Sequence, residues 1–435
     1  MFNELKAKIE NKQANIGIIG QGYVGLPLAV EFAKAGFSVI GFDTDDKKVA
    51  SINKGVSYIL DVPSKDVKEL VSSAVLKASS DTKLLNKMDA IIICVPTPLR
   101  KTKEPDISYI LSASEAIARN KRRGQLIILE STTYPGTTEE IILPKLNGNG
   151  LEAGKDFFLA FSPERVDPGN PKYKTKDITK IVGGVTPECT ELARLLYSQA
   201  IKEVIPVSST RSAEMVKLLE NTFRIVNIGL INEIALLCNK LGIDVWEIIN
   251  AAKTKPFGFM PFYPGPGVGG HCIGIDPLYL SWKARSHGFE TRFIDLASEI
   301  NSYMPHYVVD KIIVILNEHK KSLKGSKILI IGITYKKDIN DIRESPALEI
   351  VNSLIEKEAL VQCHDPLVSG FEIDGGKKIS TVKLTKDTVS SNDLVVIITD
   401  HTDIDYKFIV DNAKLVFDTR NALKEFKNSK NIVRL

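Results

Sequence analysis

The sequence predicts an α/β protein with two parallel sheets and a long helix between them. Short runs rich in Ile and Val alternate with helical stretches over the first 205 or so residues, and the same alternation returns from about Lys324. Between them, Ser212–Leu241 contains no proline and a single glycine, with apolar residues at helical spacing. Strand–helix alternation places helices on both faces of a parallel sheet.

The N-terminal part begins with a short amphipathic helix, predicted within residues 1–13. Five buried strands follow, because these runs are too short for helices and rich in branched apolar residues. They are Asn15–Gly20, Ser38–Phe42, Ala90–Val95, Gln125–Leu129 and Phe157–Phe161. A helix with 3.6-residue periodicity is predicted over Tyr23–Ala35.

A glycine-rich turn connects the first predicted strand to the first predicted helix of this sheet. Gly20, Gly22 and Gly25 match G-x-G-x-x-G in the strand–helix context of a dinucleotide-binding motif. The glycines permit a tight turn and close approach of a pyrophosphate, which the free amides of the helix hold. Asp43 ends the next strand, 18 residues after Gly25. A carboxylate there accepts hydrogen bonds from both ribose hydroxyls and repels a 2′-phosphate, which favours NAD over NADP.

The long helix is predicted to end at Gly242. At about 30 residues it spans about 45 Å, more than one domain needs, so it joins two domains, forms a dimer interface, or both. Lys217 and Asn221 share one face of it, flanked by apolar residues. Lys217 could stabilise an oxyanion or move a proton. The alternative is an exposed lysine and a capping or core asparagine.

An irregular loop follows, with five glycines among residues 258–270 and four prolines among residues 256–266. Cys272 lies at its end, before a predicted helix start at Asp276. A thiol near cations or free amides ionises readily, so Cys272 is a candidate nucleophile, with buried packing as the alternative. His271 is expected to be structural, because adjacent side chains rarely face each other. No metal site is expected, since CxxC and HExxH motifs are absent and the six histidines are scattered.

The C-terminal part is predicted to form a second α/β unit. Its strands are Lys327–Ile333, Ala359–Cys363, Leu394–Thr399 and Leu415–Phe417, and its helix is Pro346–Glu356. Without a glycine triplet, this sheet is not expected to bind a second dinucleotide through that turn. Lys336 and Lys337 follow its first strand, where open α/β sheets bind ligands. They indicate a phosphate-bearing ligand or, alternatively, two solvated lysines.

Composition excludes several classes of protein. An apolar content of 43% excludes a mainly disordered chain, and 57 basic against 53 acidic residues give a net charge too small to suggest nucleic-acid binding. No apolar run approaches the ~20 residues that span a bilayer. The charged N-terminal segment is not a secretory signal, and five scattered cysteines favour a reducing compartment. We expect a soluble cytoplasmic protein without a membrane partner.

Seven motifs occur in the order of the UDP-sugar 6-dehydrogenases of the UDP-glucose/GDP-mannose dehydrogenase family. They are GQGYVG (20–25), CVPTP (94–98), EST (130–132), SPER (162–165), EMVKLLEN (214–221), PGPGVGGHC (264–272) and KKDINDIRES (336–345). The chain resembles this family from Asn15 to about Arg420. The resemblance implies a Rossmann NAD-binding domain over residues 1–206, a central long-helix dimerisation domain over 207–323, and a Rossmann-like UDP-sugar-binding domain over 324–435. It also implies a homodimer or a larger homo-oligomer.

The resemblance further implies a four-electron oxidation of the sugar's C6 alcohol to a carboxylate, consuming two NAD. Cys272 would capture the aldehyde as a thiohemiacetal and then carry a thioester. Lys217 and Asn221 would stabilise the charged oxygen, and Glu164 would be the general acid/base of thioester hydrolysis. Asp276 and Thr132 would position the water and tune Lys217.

Ligand contacts are implied in the same way. For the cofactor they are Gly20, Gly22, Tyr23, Val24, Gly25, Asp43, Pro96, Thr97, Ser131 and Thr132, with Arg343 reaching its phosphates. Nicotinamide contacts would come from Thr97, Thr132 and Glu164. For the substrate they are Glu164, Arg165, Lys217, Asn221, Tyr263, Gly265, Gly267, Gly269, Tyr335, Lys336 and Arg420.

One departure from the family pattern bears on the substrate. UDP-glucose enzymes typically continue SPE with FLREG, whereas this chain has SPERVDPGN, so Pro168 replaces a second carboxylate. This form resembles the branch that acts on UDP-N-acetylhexosamines, UDP-N-acetylglucosamine above all, for surface polysaccharide precursors. UDP-N-acetylmannosamine, UDP-N-acetylgalactosamine and UDP-glucose are the alternatives. A two-electron β-hydroxyacid dehydrogenase would need neither Cys272 nor the third domain, and an NAD-sensing scaffold would produce no NADH.

Overall fold

The computed structural model describes residues 1–59, 61–100, 104–167, 173–270 and 273–435. It divides into two compact units. The first contains Met1–Glu220 and Leu278–Phe289, and the second contains Asn221–Pro277 and Glu290–Leu435. Among the described residues, no helix combines the length and apolar character that crossing a membrane requires.

The first unit contains an eight-stranded sheet. Its strands are β1 (Asn15–Ile19), β2 (Ser38–Phe42), β3 (Leu76–Ser79), β4 (Ala90–Ile93), β5 (Leu126–Leu129), β6 (Phe158–Phe161), β7 (Lys180–Gly184) and β8 (Val204–Pro206). Their order is β3-β2-β1-β4-β5-β6-β7-β8. The first six have the strand order of a dinucleotide-binding fold, which reverses between β1 and β4. All five predicted strands are confirmed.

The sheet is parallel except at one pair, where β7 runs antiparallel to β6. Neither this reversal nor strands β3, β7 and β8 are predicted from the sequence. β7 is difficult to recognise because it begins with a charged residue, Lys180, and ends in two glycines. These glycines allow close packing: a Cβ at Gly184 would overlap the backbone of Thr190 in the following helix.

Helices alternate with the strands of both sheets. They are α1 (Phe2–Glu10), α2 (Gly25–Lys34), α3 (Asp46–Asn53), α4 (Ser64–Ser72), α5 (Ser108–Asn120), α6 (Leu143–Leu146), α7 (Pro187–Ser198), α8 (Thr210–Leu241), α9 (Val245–Ala252), α10 (Asp276–Arg285), α11 (Arg292–Glu318), α12 (Pro346–Glu356), α13 (Lys386–Ser390) and α14 (Tyr406–Asn412). Of these described helices, four, α8 to α11, lie in sequence between the two sheets. A π-helix lies at Thr138–Ile142.

The long predicted helix is confirmed as α8, with 32 residues. It starts two residues earlier than predicted and ends before Gly242, whose φ of +68° is easily adopted only by glycine. Helix α11, which has 27 residues and contains Pro305, is not predicted from the sequence. A proline inside a helix removes one backbone hydrogen bond.

The second unit contains a five-stranded parallel sheet. Its strands are β9 (Lys327–Ile331), β10 (Leu360–His364), β13 (Leu394–Ile397), β14 (Val416–Asp418) and β15 (Ile432–Arg434), in the order β10-β9-β13-β14-β15. A separate hairpin pairs β11 (Gly370–Ile373) with β12 (Lys377–Ser380). The four predicted strands and helix α12 are confirmed. The order of the sheet reverses between β9 and β13, where such sheets bind ligands.

Candidate active site

The turn after β1 has the shape expected of a dinucleotide-binding loop. Gly20 has a φ of +92°, and a Cβ on Gly25 would overlap the carbonyl oxygen of Gly20. A Cβ on Gly22, by contrast, would meet nothing within 4 Å. Gly20 and Gly25 are therefore required by the turn itself, whereas Gly22 leaves space that a bound pyrophosphate can occupy. Tyr23 and Val24 complete the turn before α2.

Asp43 lies directly after β2, as predicted. Its carboxylate accepts hydrogen bonds from the amides of Gln21 (2.8 Å) and Asp45 (2.9 Å) and pairs with Lys48 (3.3 Å). These contacts link the carboxylate to the glycine turn. A carboxylate at this edge fits the ribose of NAD.

Two further loops follow β4 and β5 at the same edge of the sheet. Pro96 is exposed and Thr97 is buried, with its carbonyl oxygen accepting a hydrogen bond from the Tyr279 hydroxyl (2.9 Å). Ser131 donates to the carbonyl oxygen of Val95 (2.8 Å). The predicted cofactor residues of this unit thus follow four parallel strands, β2, β1, β4 and β5, which are adjacent in the sheet.

Lys217 is buried on α8, with 6% of its surface exposed. Its Nζ donates to the Oγ1 atom of Thr132 at 2.5 Å. Thr132 directly follows Ser131. The exposed-lysine alternative is therefore wrong. The structure brings together two predicted site residues that are 85 positions apart in the sequence.

Glu164 follows β6 and is also buried. Its Oε1 accepts hydrogen bonds from the amides of Arg165 (2.7 Å) and Val166 (2.6 Å), and its Oε2 pairs with Lys180 Nζ at 3.1 Å. Burial raises the pKa of this carboxyl, but Lys180, a hydrogen bond with the Glu130 carboxyl, Lys217 and the Val166 amide outweigh burial and lower the pKa to about 2. Glu164 is therefore ionised at neutral pH.

Two buried residues near Glu164 are not predicted as site residues. Glu130, directly after β5, pairs with Lys180 and accepts a hydrogen bond from the Tyr197 hydroxyl. Burial raises the pKa of Glu130 to about 8. Lys180 could have been suspected from the sequence, because a lysine that opens an apolar strand requires a partner.

Arg165 points its guanidinium at Glu220 and Thr179. Nε and Nη2 donate to the Glu220 carboxylate at 3.2 and 2.6 Å, and Nη1 donates to the Thr179 carbonyl oxygen at 2.6 Å. Among the described residues, three of the five N–H donors of the guanidinium thus have acceptors.

In the second unit, Asn221 and Asp276 are hydrogen-bonded. The Asn221 amide donates to Asp276 Oδ2 at 2.6 Å, and Asp276 is buried at the first position of α10. The helix start predicted at Asp276 is thus confirmed. Cys272, His271 and Pro168 lie outside the described residues.

The glycine- and proline-rich loop is packed against elements of the same unit. The Gly265 amide donates to Asn232 Oδ1 (3.0 Å), and a Cβ on Gly265 would lie 2.5 Å from Arg420 Nη1. Gly269 packs against Tyr335 in the same close manner. Two further residues belong to the same loop. Gly267 has a φ of +137°, and Tyr263 stacks on Trp246 with ring centroids 6.1 Å apart.

The remaining predicted residues of this unit lie beyond the strands of the second sheet. Tyr335 and Lys336 follow β9 and are half-buried, and Arg420 follows β14, with its Nε donating to the Ile398 carbonyl oxygen (2.8 Å). Arg343 is half-exposed and forms an ion pair with Asp341 at 2.6 Å. Lys336 and Arg420 therefore lie at the ligand-binding edge of the sheet. Among the described residues, no group of three or more His, Cys, Asp or Glu could hold a metal ion.

Comparison with known families identifies the chain. Three domain models of the UDP-glucose/GDP-mannose dehydrogenase family match it: the NAD binding domain over residues 14–201, the central domain over 211–303 and the UDP binding domain over 329–425. The chain belongs to this family. It is an oxidoreductase of the NAD-dependent UDP-sugar dehydrogenase type, and enzymes of this family use two NAD per oxidation. The predicted fold class, family and cofactor are confirmed.

Individual relatives within the family differ in the sugar they are named for. The UDP-N-acetyl-D-glucosamine 6-dehydrogenase of Pseudomonas aeruginosa is 39% identical, over 82% of this chain and 84% of the relative. The UDP-N-acetyl-D-mannosamine dehydrogenase of Methanococcus maripaludis is 37% identical, over 94% and 93%. The solved UDP-D-ManNAc dehydrogenase structure from Pyrococcus horikoshii superposes with a TM-score of 0.88 at 35% identity, covering 97% of this chain and 98% of that one.

Proposed function

We propose that the chain oxidises the C6 alcohol of UDP-N-acetylglucosamine to the carboxylate, giving UDP-N-acetylglucosaminuronate through a thioester on Cys272. The observation that carries the proposal is the buried Lys217 ammonium, bonded to Thr132 in the unit that also holds the ionised Glu164. A buried ammonium beside a catalytic carboxylate suits a reaction in which negative charge develops on oxygen.

The proposed reaction proceeds in three stages. NAD, when bound, accepts a hydride from C6 in each of the two oxidation steps. Between them, the Cys272 sulfur bonds to the aldehyde carbon, so the aldehyde is retained as a thiohemiacetal, which the second oxidation converts into an enzyme-bound thioester. Water then forms the new C–O bond while the C–S bond breaks, which releases the carboxylate and restores the thiolate.

The other residues have supporting roles in this proposal. Lys217 stabilises the oxyanion, and the Thr132 hydroxyl fixes the position of its ammonium. Asn221 donates to the same oxygen, and Asp276 orients its amide through their hydrogen bond. Glu164, ionised at neutral pH, takes the proton from the attacking water.

The proposed ligand contacts are divided between the two units, with most of the cofactor contacts in the first and most of the UDP-sugar contacts in the second. The nine residues of the first unit that follow β1, β2, β4 and β5 bind NAD: Gly20, Gly22, Tyr23, Val24, Asp43, Pro96, Thr97, Ser131 and Thr132. Gly25 starts α2 behind them, and Arg343 reaches the cofactor phosphates. Lys336 and Arg420 bind the UDP diphosphate and sugar, with Tyr335 and the loop residues Tyr263, Gly265, Gly267 and Gly269 around the substrate.

The choice of sugar is supported by the SPERVDPGN sequence and by the P. aeruginosa relative. The mannosamine dehydrogenases, of similar identity, make UDP-N-acetylmannosamine the alternative. These two sugars differ only in configuration at C2, beside which we place Arg165. Initial rates of NADH formation with UDP-N-acetylglucosamine, UDP-N-acetylmannosamine, UDP-N-acetylgalactosamine and UDP-glucose separate the candidates. A higher kcat/KM with any of the last three would overturn the choice.

The covalent part of the proposal is tested by intact-protein mass spectrometry of Glu164→Gln. Because this variant lacks the base for hydrolysis, we expect it to accumulate protein whose mass is increased by the acyl group of the oxidised UDP-sugar. The same treatment of Cys272→Ser should leave the protein mass unchanged. Absence of an adduct on Glu164→Gln, or an adduct that survives in Cys272→Ser, would contradict the thioester.

The proposal includes an assembly and a location. A homodimer is supported by Phe223, Leu230 and Leu237, exposed apolar side chains that recur every seven residues on α8. A cytoplasmic location is supported by the described cysteines, Cys94, Cys189, Cys238 and Cys363, which are buried free thiols. We retain 206/207 and 323/324 as the proposed domain boundaries.

A further inference from the structure

Glu164 belongs to a buried group of charged side chains in the first unit, together with Lys180 and Glu130. Lys180, the first residue of β7, is 5% exposed, and its Nζ contacts one oxygen of Glu130 and one of Glu164. The side chains of Glu130 and Glu164 are 0% and 9% exposed. The two carboxylates therefore share a single ammonium away from water.

The charge balance of this group requires a proton. With both carboxylates ionised, Lys180 offsets one of the two negative charges, and Lys217 favours the ionised form of Glu164. The charge on Glu130 is then the costly one in this buried site. Among the described residues, two backbone amides donate to the other oxygen of Glu164, and the Tyr197 hydroxyl donates to the other oxygen of Glu130. The side-chain hydrogen bond between the two carboxyl groups raises the pKa of Glu130 and lowers that of Glu164, as it does when Glu130 is the donor. The proton therefore resides on Glu130 at rest.

The titration of the two carboxyls agrees with this placement. Burial raises the pKa of Glu130 to about 8, while the pKa of Glu164 is lowered to about 2, burial being outweighed by Lys180 and the other donors. Lys217, Cys94 and Tyr197 are further titratable groups, among the described residues, that act on this site. A lone carboxylate with so low a pKa accepts a proton from water poorly, because an effective base has a pKa near the working pH.

We propose that Glu130 and Glu164 act as one proton-accepting pair across Lys180, with Glu130 and Lys180 as positioning residues for Glu164. The inference rests on the proposed role of Glu164 in thioester hydrolysis. When both carboxylates are ionised, Glu164 takes a proton from the attacking water. That proton passes to Lys180 as Lys180 gives one of its own to Glu130, so Lys180 remains an ammonium and Glu164 is ionised again.

Coupled carboxyls titrate as a unit, so the pair binds its first proton with the affinity of Glu130. Acyl-enzyme hydrolysis should therefore accelerate as the pH rises towards 8 and level off above it. The isosteric variant Glu130→Gln leaves Lys180 and Glu164 in place but removes the site that receives the proton. We expect its hydrolysis to be about 100-fold slower, with no rise towards pH 8 and an unchanged KM for the UDP-sugar.

The experiment is a single turnover of the full-length enzyme with NAD and UDP-N-acetylglucosamine, in which acyl-enzyme decay is followed by quenched-flow mass spectrometry from pH 6 to 10. Tyr197→Phe is the matched control, because it alters the same buried group without removing a member of the pair. It should keep the rise in hydrolysis rate with pH, with the midpoint moved to higher pH because Glu130 loses a hydrogen-bond donor. Glu130→Asp shortens the side chain by one methylene and moves the carboxylate away from Lys180. It should shift the midpoint of the rise in hydrolysis rate by about half a pH unit or more.

The outcomes separate this inference from the proposed function. If Glu164→Gln forms no acyl-enzyme, the proposed function fails. If Glu164→Gln forms it but Glu130→Gln decays with the wild-type rate or pH profile, only the pair is overturned. Should Glu130→Gln not fold, an unshifted midpoint in Glu130→Asp overturns the pair equally well.

Discussion

Gly22 is the glycine of the β1–α2 turn whose role is not explained by the protein's own packing. Gly20 and Gly25 are constrained by neighbouring backbone, whereas a methyl group on Gly22 would meet open space. Gly22→Ala should therefore fold normally, with a melting temperature close to that of the wild type. It should nevertheless bind NAD at least about tenfold more weakly, because the methyl occupies space needed for the pyrophosphate.

Calorimetric titration with NAD measures this effect. Gly148→Ala is the matched control, since a Cβ there also meets nothing within 4 Å and the residue is remote in sequence from the turn. Equal NAD affinity in Gly22→Ala and the wild type would place the pyrophosphate elsewhere.

Lys217 provides the second prediction at the scale of residues. Lys217→Met removes the ammonium that we propose for the oxyanion, and loss of such a donor lowers kcat by about 10²–10³-fold. Steady-state NADH formation at saturating NAD measures it. Lys240→Met, an exposed lysine near the end of the same helix, should keep kcat within a factor of two of the wild type. A kcat above a tenth of the wild-type value in Lys217→Met would remove Lys217 from the mechanism.

Sequence spacing was sufficient for some site residues and insufficient for others. The i, i+4 relation placed Lys217 and Asn221 on one face of a helix, and the glycine motif placed the turn. The Glu130–Lys180 pair was not predicted, because its members are 50 residues apart and meet only through the antiparallel return of β7. Pairing across a sheet leaves no periodic signal in the sequence.

At the scale of elements, α8 is fixed to the segment that follows β5 through Glu214. Glu214 Oε2 accepts a hydrogen bond from the Gly136 amide (2.6 Å), and its Oε1 accepts from the amide (2.9 Å) and hydroxyl (2.7 Å) of Thr138. This carboxylate thus satisfies donors at the start of the Thr138–Ile142 π-helix. It is 1% exposed, so water cannot replace it readily.

Glu214→Ala should destabilise the protein by about 3 kcal/mol, because it leaves buried backbone donors without acceptors. Urea unfolding followed by circular dichroism gives the change in unfolding free energy. Glu233→Ala, at an exposed position of the same helix, should change it by no more than about 0.5 kcal/mol. Equal losses in the two variants would show that Glu214 does not anchor α8.

Element boundaries were predicted best where local rules suffice. Strand β2 and helix α12 match at both ends, since an apolar run and a Ser–Pro start define them. Helix α11 was missed because Pro305 argues against a helix at that position, although its neighbours are buried apolar residues that pack in the second unit. Tertiary packing therefore overrides a local signal there.

At the scale of the whole molecule, the exposed apolar residues of α8 predict self-association. Phe223, Leu230 and Leu237 are each about half exposed, and a spacing of seven places them along one helix face. Light scattering after size exclusion should give at least twice the chain mass of 48.0 kDa. Replacing both leucines by glutamate should reduce it to the chain mass, whereas Lys240→Glu should not. A wild-type mass of one chain would refute the proposed dimer.

The most direct test of the proposed chemistry is the number of NADH molecules formed per UDP-N-acetylglucosamine consumed. NADH is measured by absorbance, and the sugar nucleotide by chromatography of the same reaction. A reaction through a Cys272 thioester gives two NADH and one UDP-N-acetylglucosaminuronate for each sugar. One NADH for each sugar, with free aldehyde released, would contradict the thioester and with it the proposed roles of Cys272 and Glu164.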